Sequence, residues 1–254
     1  MYQLFEWLSF VFKHDGYHCV SLYTLNSIRL YYGIPDEKLH LIYNGVDTDF
    51  WDAKNVSERT LQGRRKKYGR EGKYVMLYYG HSGVSKGIDY LIEAIPEIVK
   101  ENPDGILIFN LIPAKRDREV KTKIRDSRKK ISPQRRKGRE EGVFIFNGRE
   151  KEQLRELIAT ADVVIAPSLA EGFGSVHSEA CAMGKTLITT QVAAIPEVVS
   201  GNVKFVQPCS PEAIVEGIRE VRSGNFTKIA KKAFDWDGSV EKIEKLYESL
   251  AFRW

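Results

Sequence analysis

The stretch YVMLYYGHSGVSKGIDYLIEAIPEIVK, residues 74–100, decides the fold class. Its first six residues, Tyr74 to Tyr79, form the kind of continuous apolar run that is typical of a strand buried on both faces. A polar turn over Gly80 to Gly87 follows, and Ile88 to Lys100 then places apolar side chains at helical spacing. A strand that passes through a short turn into an amphipathic helix is the repeating unit of a parallel sheet.

The same unit recurs along the rest of the chain. Further strands are predicted at 106–109, 143–146, 163–166, 186–190 and 203–206, and helices at 151–160, 175–183, 212–221 and 239–250. Six strands with intervening helices predict an α/β protein with a Rossmann-like, doubly wound parallel sheet of about 180 residues.

The first 69 residues have a less complete pattern. Residues 19–23 and 39–43 are predicted strands around a helix over 24–32, which Gly33-Ile34-Pro35 ends. So few elements bury too little surface to fold alone. We therefore expect residues 1–69 to be a truncated N-terminal portion and residues 70–254 to be the main domain with its C-terminal helix.

The composition excludes several classes of protein. A chain of 254 residues with 43% hydrophobic residues is too long and too apolar to be disordered. Three widely separated cysteines, Cys19, Cys181 and Cys209, exclude a disulfide scaffold and a zinc site made of cysteine alone, so we expect a cytoplasmic location. The histidines lack metal-ligand spacing, and His177 is expected to pack in the core. No metal site is predicted.

The positive charge is concentrated in one segment. Residues 115–139 carry 13 basic and 3 acidic side chains, against a net charge of +5 for the whole chain. Pro133 prevents a single helix through this segment. It could attract anionic lipid headgroups, which would make the protein membrane-associated, or it could be a solvated insertion. It contains no aromatic residue to stack on a base, so nucleic acid is a weak alternative.

The sharpest local motif is EGFGSVHSE, residues 171–179, between a predicted strand and helix. Ligands of doubly wound sheets bind at the carboxyl ends of the strands, and amides at a helix start suit an anion. Gly174 would permit close approach of the backbone. The Glu179 carboxylate can accept hydrogen bonds from a ribose diol, and Glu171 can meet sugar hydroxyls. Taken alone, the motif also fits a capped helix with solvated acidic side chains.

A second turn, Gly80 to Gly87, also suits an anion. Lys86 could neutralise a phosphate, and the amides around Gly83 could donate hydrogen bonds to it. The spacing is not that of a Walker A loop. An ordinary turn with a solvated lysine is the alternative.

These and other short motifs follow one another in a characteristic order. They are Asn44-Gly45-Val46-Asp47, Gly80 to Gly87, Ala161-Asp162-Val163-Val164, Pro167-Ser168, Glu171-Gly172-Phe173-Gly174, Glu179-Ala180, Gly184 and Pro196-Glu197-Val198-Val199. Their order and spacing resemble the retaining glycosyltransferases of family four, also called group 1 glycosyltransferases. The resemblance covers residues 20–250. It implies the two-Rossmann-domain (GT-B) architecture, of which this chain holds mainly the C-terminal, donor-binding domain.

The resemblance also implies an activity. Enzymes of this family transfer a sugar from a nucleotide-diphosphate sugar to an acceptor with retention of configuration, without a cofactor or a required metal. Catalytic roles would fall to Glu171, Lys86 and His81, and donor binding to Gly80, Gly83, Phe173, Gly174, Ser175, Glu179 and, at the base, Arg149. Cations and amides suit this chemistry because negative charge builds on the leaving diphosphate.

The sequence departs from the family pattern inside the motifs. Where the family has arginine, this chain has His81, and histidine is largely neutral at pH 7 unless an anion favours its cation. Paired glycines of the family are replaced by Ala193-Ala194. Because alanine disfavours a positive φ, we expect that loop to take another shape. Residues 110–114 replace a glycine-rich turn.

The larger departure is that little of the acceptor-binding domain precedes residue 20. The acceptor, which the sequence does not identify, would then be held by a partner chain, a second copy or a membrane surface. Apolar residues 4–12 are expected to be buried in this chain, against such a copy, or in lipid. Two alternatives stay open beside the enzyme: a non-catalytic nucleotide-sugar-binding subunit of a two-chain transferase, and a basic membrane- or nucleic-acid-binding module on a relic fold.

Overall fold

A computed structural model describes residues 14–67, 71–131, 142–148 and 150–251 of the chain. These residues form two compact units. The first contains the described residues up to Asp47 together with those from Ala233 onward, and the second contains those from Thr48 to Lys232. The units therefore divide the chain at other positions than residue 69. The assignment of 1–69 to an acceptor-domain remnant and 70–254 to a donor domain stays a prediction.

The first unit contains a small parallel sheet. Strands β1 (Tyr17–Cys19) and β2 (Leu39–Leu41) flank helix α1 (Leu22–Tyr32). The Ser21 hydroxyl caps this helix by accepting a hydrogen bond from the Thr24 amide at 3.0 Å. This cap starts the helix at Leu22, earlier than predicted. The predicted strand over 19–23 is therefore wrong, and the observed strand β1 ends at Cys19. In the same unit, the Ser239 hydroxyl of the chain's last helix donates to the Tyr43 carbonyl at 2.7 Å.

The second unit is built on a seven-stranded sheet. After helix α2 (Glu58–Lys67), its strands are β3 (Tyr74–His81), β4 (Gly105–Ile112), β5 (Val143–Asn147), β6 (Val163–Ala166), β7 (Thr186–Thr190), β8 (Gly201–Val206) and β9 (Thr227–Ile229). The spatial order is β5-β4-β3-β6-β7-β8-β9, and only β9 runs antiparallel to its neighbour. The chain winds outward from β3 and then crosses to the other side at β6, so the predicted doubly wound α/β fold is confirmed.

Helices connect these strands. They are α3 (Ile88–Glu101), α4 (Asp117–Lys129), α5 (Lys151–Thr160), α6 (Ser175–Ala182), α7 (Ile195–Val198) and α8 (Pro211–Arg222), and α9 (Trp236–Ala251) ends the described chain. Helices α3, α4 and α8 share one apolar core with alternate residues of the central strands. The strand residues of opposite orientation, among them Leu77, Ile108 and Val164, are also completely buried. Both faces are therefore covered, as a parallel sheet requires.

Further differences from the sequence predictions lie in the second unit, where helices α2, α4 and α7 were not predicted and two strands differ. Strand β9 was not predicted, since its three residues, Thr-Lys-Ile, are largely exposed and lack an apolar run. Strand β4 extends beyond the predicted 106–109 as far as Ile112, so Asn110 lies inside a strand rather than in a loop.

Gly87 permits a very close backbone approach in the second unit. Its φ is +63°, and a Cβ atom at this position would lie 1.9 Å from the Pro167 carbonyl oxygen. Pro167 follows β6, whereas Gly87 lies just before α3. The glycine therefore allows the loops that follow β3 and β6 to touch.

We predict that Gly87→Ala lowers the free energy of unfolding by about 3 kcal/mol or more. The Pro167 carbonyl must move away from the new Cβ atom, and the alanine must also adopt a strained φ. Gly184→Ala is the matched control, since its φ is +64° and a Cβ there would meet nothing within 4 Å. The control should cost only about 1 kcal/mol. Urea denaturation of both variants measures the difference, and equal losses would contradict the role assigned to Gly87.

Candidate functional site

Two loops meet at the carboxyl ends of β3 and β6. The strand order reverses between these two strands, which is where doubly wound sheets form their ligand crevice. The amides of Leu169 and Ala170, in the loop after β6, donate to the Ser85 carbonyl in the loop after β3, at 2.7 and 3.2 Å. The two loops that the sequence motifs singled out are therefore in direct contact at this point.

An ion pair joins these loops at their centre. The Lys86 ammonium group donates to both carboxylate oxygens of Glu171, at 2.8 and 2.9 Å. Ser168 donates to the same carboxylate at 2.8 Å. Glu171 is 9% exposed, and the Lys86 side chain keeps 25% of its surface accessible. The structure therefore brings two of the predicted catalytic residues into contact and leaves the cation partly open to a ligand.

The remaining predicted residues of the first loop precede Lys86 in the chain. Gly80 has a φ of +139°, His81 is exposed, and Gly83 precedes a 3₁₀ turn over Val84–Lys86. The side chain of Ser82 is buried and donates to Asp117 at 2.8 Å, which ties this loop to α4. The His81 side chain thus lies at the surface of the same loop as Lys86.

The second loop leads directly into α6. Phe173 is buried, Gly174 has a φ of +91°, and Ser175 is the exposed first residue of the helix. A Cβ atom at position 174 would lie 2.8 Å from the His177 ring. The glycine therefore lets the loop pass close to the first turn of the helix.

Glu179 lies one turn into α6, beside Tyr79 of β3. Burial raises the pKa of Glu179 to about 7, although a hydrogen bond with the Tyr79 hydroxyl and the charge of Lys151 act in the opposite direction. The Tyr79 hydroxyl also donates to the Val176 carbonyl at 2.8 Å. Sequence reasoning treated Tyr79 only as a buried strand residue. Its place directly before Gly80, at the carboxyl end of a strand, is the signal that could have identified it.

His177 occupies the core rather than the crevice. It is completely buried, its Nε2 atom lies 2.9 Å from the Thr189 hydroxyl, and its Nδ1 atom has no hydrogen-bond partner. Burial lowers the pKa of His177 to about 4, so the ring is neutral at pH 7. This placement agrees with the expectation of a packed histidine.

The sequence predictions also gave no role to the side chain of Asn110. It is completely buried in β4 in register with Tyr79, and neither its amide nitrogen nor its oxygen has a hydrogen-bond partner. Arg149, predicted to lie near the base, falls outside the described residues, and so do residues 4–12.

Several basic side chains in the described part of the basic segment form ion pairs. In helix α4 and just before it, Arg116 and Lys123 both bind Asp89, and Lys129 binds Asp126. Residues 132–139 of the segment lie outside the described part of the chain. Contact of residues 115–139 with an anionic membrane surface stays a prediction. That nucleic acid is only a weak alternative for this segment stays a prediction as well.

Two features are absent from the described ranges. There, no three His, Cys, Asp or Glu side chains are grouped so as to hold a metal ion. None of the helices in those ranges has the length and apolar character needed to cross a membrane.

The loop at Ala193-Ala194 corrects a sequence expectation. Ala193 adopts a φ of +50°, in the left-handed region that alanine was expected to avoid, whereas Ala194 has a φ of −79°. The Ala194 amide donates to the Glu171 carbonyl at 3.3 Å, and α7 begins one residue later. These contacts hold the loop in a strained conformation beside the ion pair.

We predict opposite effects of glycine at these two neighbouring positions. Ala193→Gly should leave stability unchanged or raise it by up to about 1 kcal/mol, because relief of the left-handed strain offsets the greater freedom of the unfolded chain. Ala194→Gly should lower stability by about 0.5–1 kcal/mol, since this position has no strain to relieve. Chemical denaturation compares the two, and a larger loss for Ala193→Gly would contradict the strain.

The two buried groups of α6 should affect the pH dependence of stability in opposite ways. The pKa of His177 is about 4 in the folded chain against an ordinary 6.5, so its contribution to stability is lost as pH falls below 6.5. The pKa of Glu179 is about 7 against 4.5, so the folded chain binds the extra proton and gains stability as pH falls from 7 to 4.5. The two effects offset each other across most of this range.

In Glu179→Gln, the loss of stability that His177 causes at acidic pH should therefore no longer be offset. Relative to the wild type, the variant should lose about 2 to 3 kcal/mol in free energy of unfolding between roughly pH 7 and pH 4.5. Urea denaturation at several pH values measures this. Glu244→Gln, at an exposed position of α9, serves as the control and should follow the wild type. Parallel curves for wild type and Glu179→Gln would refute the raised pKa of Glu179.

Comparison with known proteins places this site in a family. The model of the glycosyl transferases group 1 matches residues 62–237, and that of glycosyltransferase family 4 matches residues 2–50. An uncharacterized glycosyltransferase of Methanocaldococcus jannaschii is 26% identical over 230 residues, which cover 85% of this chain and 55% of the relative. The gpi3 subunit of phosphatidylinositol N-acetylglucosaminyltransferase of Schizosaccharomyces pombe is 26% identical over 183 residues, which cover 68% of this chain and 37% of the relative.

The fold is shared with solved structures. Anabaena HepE, determined in complex with UDP-glucose, has a TM-score of 0.77 at 18% identity, and the match covers 98% of this chain and 70% of that one. The chain spans about half the length of the first of these curated relatives. Because the group 1 model matches most of the sequence and includes both loops of the crevice, the chain belongs to the glycosyl transferases group 1 family.

Proposed function

We propose that the protein transfers a sugar from a nucleotide-diphosphate sugar to an acceptor with retention of anomeric configuration, and that this chain supplies the donor site. The observation that carries the proposal is the Lys86–Glu171 ion pair at the sheet's switch point, with Glu179 one helical turn beyond. Membership of the glycosyl transferases group 1 family supports the reaction class.

The donor would lie across the two loops. Its diphosphate would meet Lys86 and the amides at the start of α6, and its ribose diol would bind the Glu179 carboxylate. Because Lys86 is partly exposed, its ammonium group can bind a phosphate oxygen in place of Glu171 or together with it. Glu171 would then face the sugar.

The same residues would lower the reaction barrier. Cleavage of the bond between the sugar and the phosphate places negative charge on the leaving diphosphate, so a fixed cation at that position stabilises the transition state more than the ground state. Lys86 would supply this charge. His81, exposed at the end of β3, would offer the diphosphate a second hydrogen-bond donor. No residue of this arrangement requires a metal or a cofactor.

A second candidate function is that of a donor-binding subunit. It is favoured by one observation, that a relative is named as a subunit. In that case a partner chain or a second copy would hold the acceptor. The two candidates differ in whether the chain alone turns over the donor.

We predict that one of a panel of uridine-, guanosine- and adenosine-diphosphate sugars binds the chain in calorimetric titration. Lys86→Ala and Glu179→Gln should each weaken that binding about tenfold or more, because each loses a charge-assisted hydrogen bond. Lys100→Ala, an exposed ion-paired lysine at the far end of α3, should bind like the wild type. Failure of every donor to bind would refute the donor site.

The reaction itself is tested with the donor that binds. Slow release of free sugar by the chain alone, followed by NMR, reports the anomer formed first, and the anomer of the donor is the expected one. Binding without any turnover would favour the subunit. The inverted anomer would refute retention.

A further inference from the structure

Resting on the proposed donor site, we propose that Arg116 is a positioning residue of that site, because its guanidinium group joins the two ends of the loop that carries Lys86. This loop runs from Gly80 to Gly87 and connects β3 to α3. Arg116 comes from another part of the chain, as the residue just before α4. Because Arg116 belongs to the basic segment, residues 115–139, part of that segment's charge would act inside this chain.

The start of the loop is held at Ser82. Arg116 donates to the Ser82 carbonyl oxygen at 3.2 Å, and the Ser82 hydroxyl donates to the Asp117 carboxylate at 2.8 Å. Ser82 is completely buried. Its carbonyl and hydroxyl groups therefore need partners inside the protein, and the residues at the start of α4 supply one to each.

The end of the loop is held at Asp89, in the first turn of α3. The two terminal nitrogens of Arg116 donate to the two carboxylate oxygens of Asp89 at distances of 3.1 and 3.2 Å. Such a two-point contact fixes the relative orientation of the two groups as well as their separation. One guanidinium group thus connects the residue that begins the loop with the residue that follows it.

Lys86 lies between these two fixed ends. The middle of the loop has its own attachment, because Ser85 accepts hydrogen bonds from the loop after β6 and Lys86 pairs with Glu171 there. Loss of Arg116 would remove the link between the two ends of the loop, so that Lys86 would be less firmly placed. A cation that is already in place binds an anion more tightly than one that must be ordered when the anion arrives.

Arg116 would act through its geometry rather than through its charge. Besides Asp89, it binds the Glu119 carboxylate, at 2.9 and 3.2 Å, so two acidic side chains already compensate its charge. A lysine at this position would keep the charge but would lack the planar fork that reaches several acceptors at once. The proposal therefore predicts weaker donor binding for Arg116→Lys as well as for Arg116→Met.

The experiment is calorimetric titration with whichever nucleotide-diphosphate sugar of the panel binds the wild type. Arg116→Met keeps an unbranched side chain, and Lys123 still pairs with Asp89 at 2.8 Å, so the carboxylate is not left alone. We expect donor affinity to fall about fivefold, less than for Lys86→Ala, since the effect of Arg116 passes through the lysine. Arg116→Lys should lose at least about twofold in affinity.

The Lys86→Ala background separates positioning from a merely structural role. In that background, Arg116→Met should change donor affinity by less than about twofold, because the lysine that Arg116 positions is gone. A general loss of structure would instead weaken binding equally with and without the lysine.

Arg222→Met is the matched control. Two terminal nitrogens of Arg222 donate to the two carboxylate oxygens of Asp104, at 2.7 and 3.1 Å, and its side chain is 30% exposed against 24% for Arg116. Asp104 directly precedes β4, at the opposite end of that strand from Arg116. Urea denaturation should show a loss of stability for this variant, whereas its donor affinity should be that of the wild type.

Three outcomes would count against the proposal. Wild-type affinity in Arg116→Met or in Arg116→Lys would overturn this inference and leave the donor site intact. An equal loss from Arg116→Met with and without Lys86 would do the same. Failure of every donor to bind the wild type would overturn the proposed function and this inference with it. Should Arg116→Met fail to fold, Asp89→Asn weakens the same contact from the other side and gives the same decision.

Discussion

The contact between the loops after β3 and β6 is the constraint on which the site depends. The Lys86–Glu171 ion pair can form only because the two loops approach within hydrogen-bond distance, and that approach requires a glycine at position 87. The order of the parallel sheet reverses between β3 and β6, which is where doubly wound sheets place their ligand sites. The two loops bring opposite charges together at this point.

Burial shifts the pKa values of two residues of one short helix in opposite directions. It raises the pKa of Glu179 and lowers that of His177, two residues earlier, because in both cases the charged form loses its hydration. Glu171 differs from Glu179 because a lysine and a serine contact its carboxylate directly. Two glutamates of one motif are thus placed in different environments, one paired with a cation and one bonded to a tyrosine hydroxyl.

Much of the architecture was predictable because it is encoded in local patterns. All six predicted strands of the larger sheet are present, since each is a short apolar run bounded by turn residues, as at Tyr74 to Tyr79. Strand β9 was missed because its exposed residues carry no such run. Ala193 was misjudged because the conformation of a residue in a loop follows from the contacts on either side of it, here the bond from Ala194 to Glu171.

The six central strands, the doubly wound class and the two loop motifs follow from local patterns, because periodicity and turn chemistry act over a few neighbouring residues. The contacts of Lys86 with Glu171, 85 positions away, and of Tyr79 with α6, 97 positions away, arise only when the chain folds. The raised pKa of Glu179 likewise depends on the groups that bury it in the folded chain. Such properties depend on which distant groups share a low-dielectric space, and no local pattern records that.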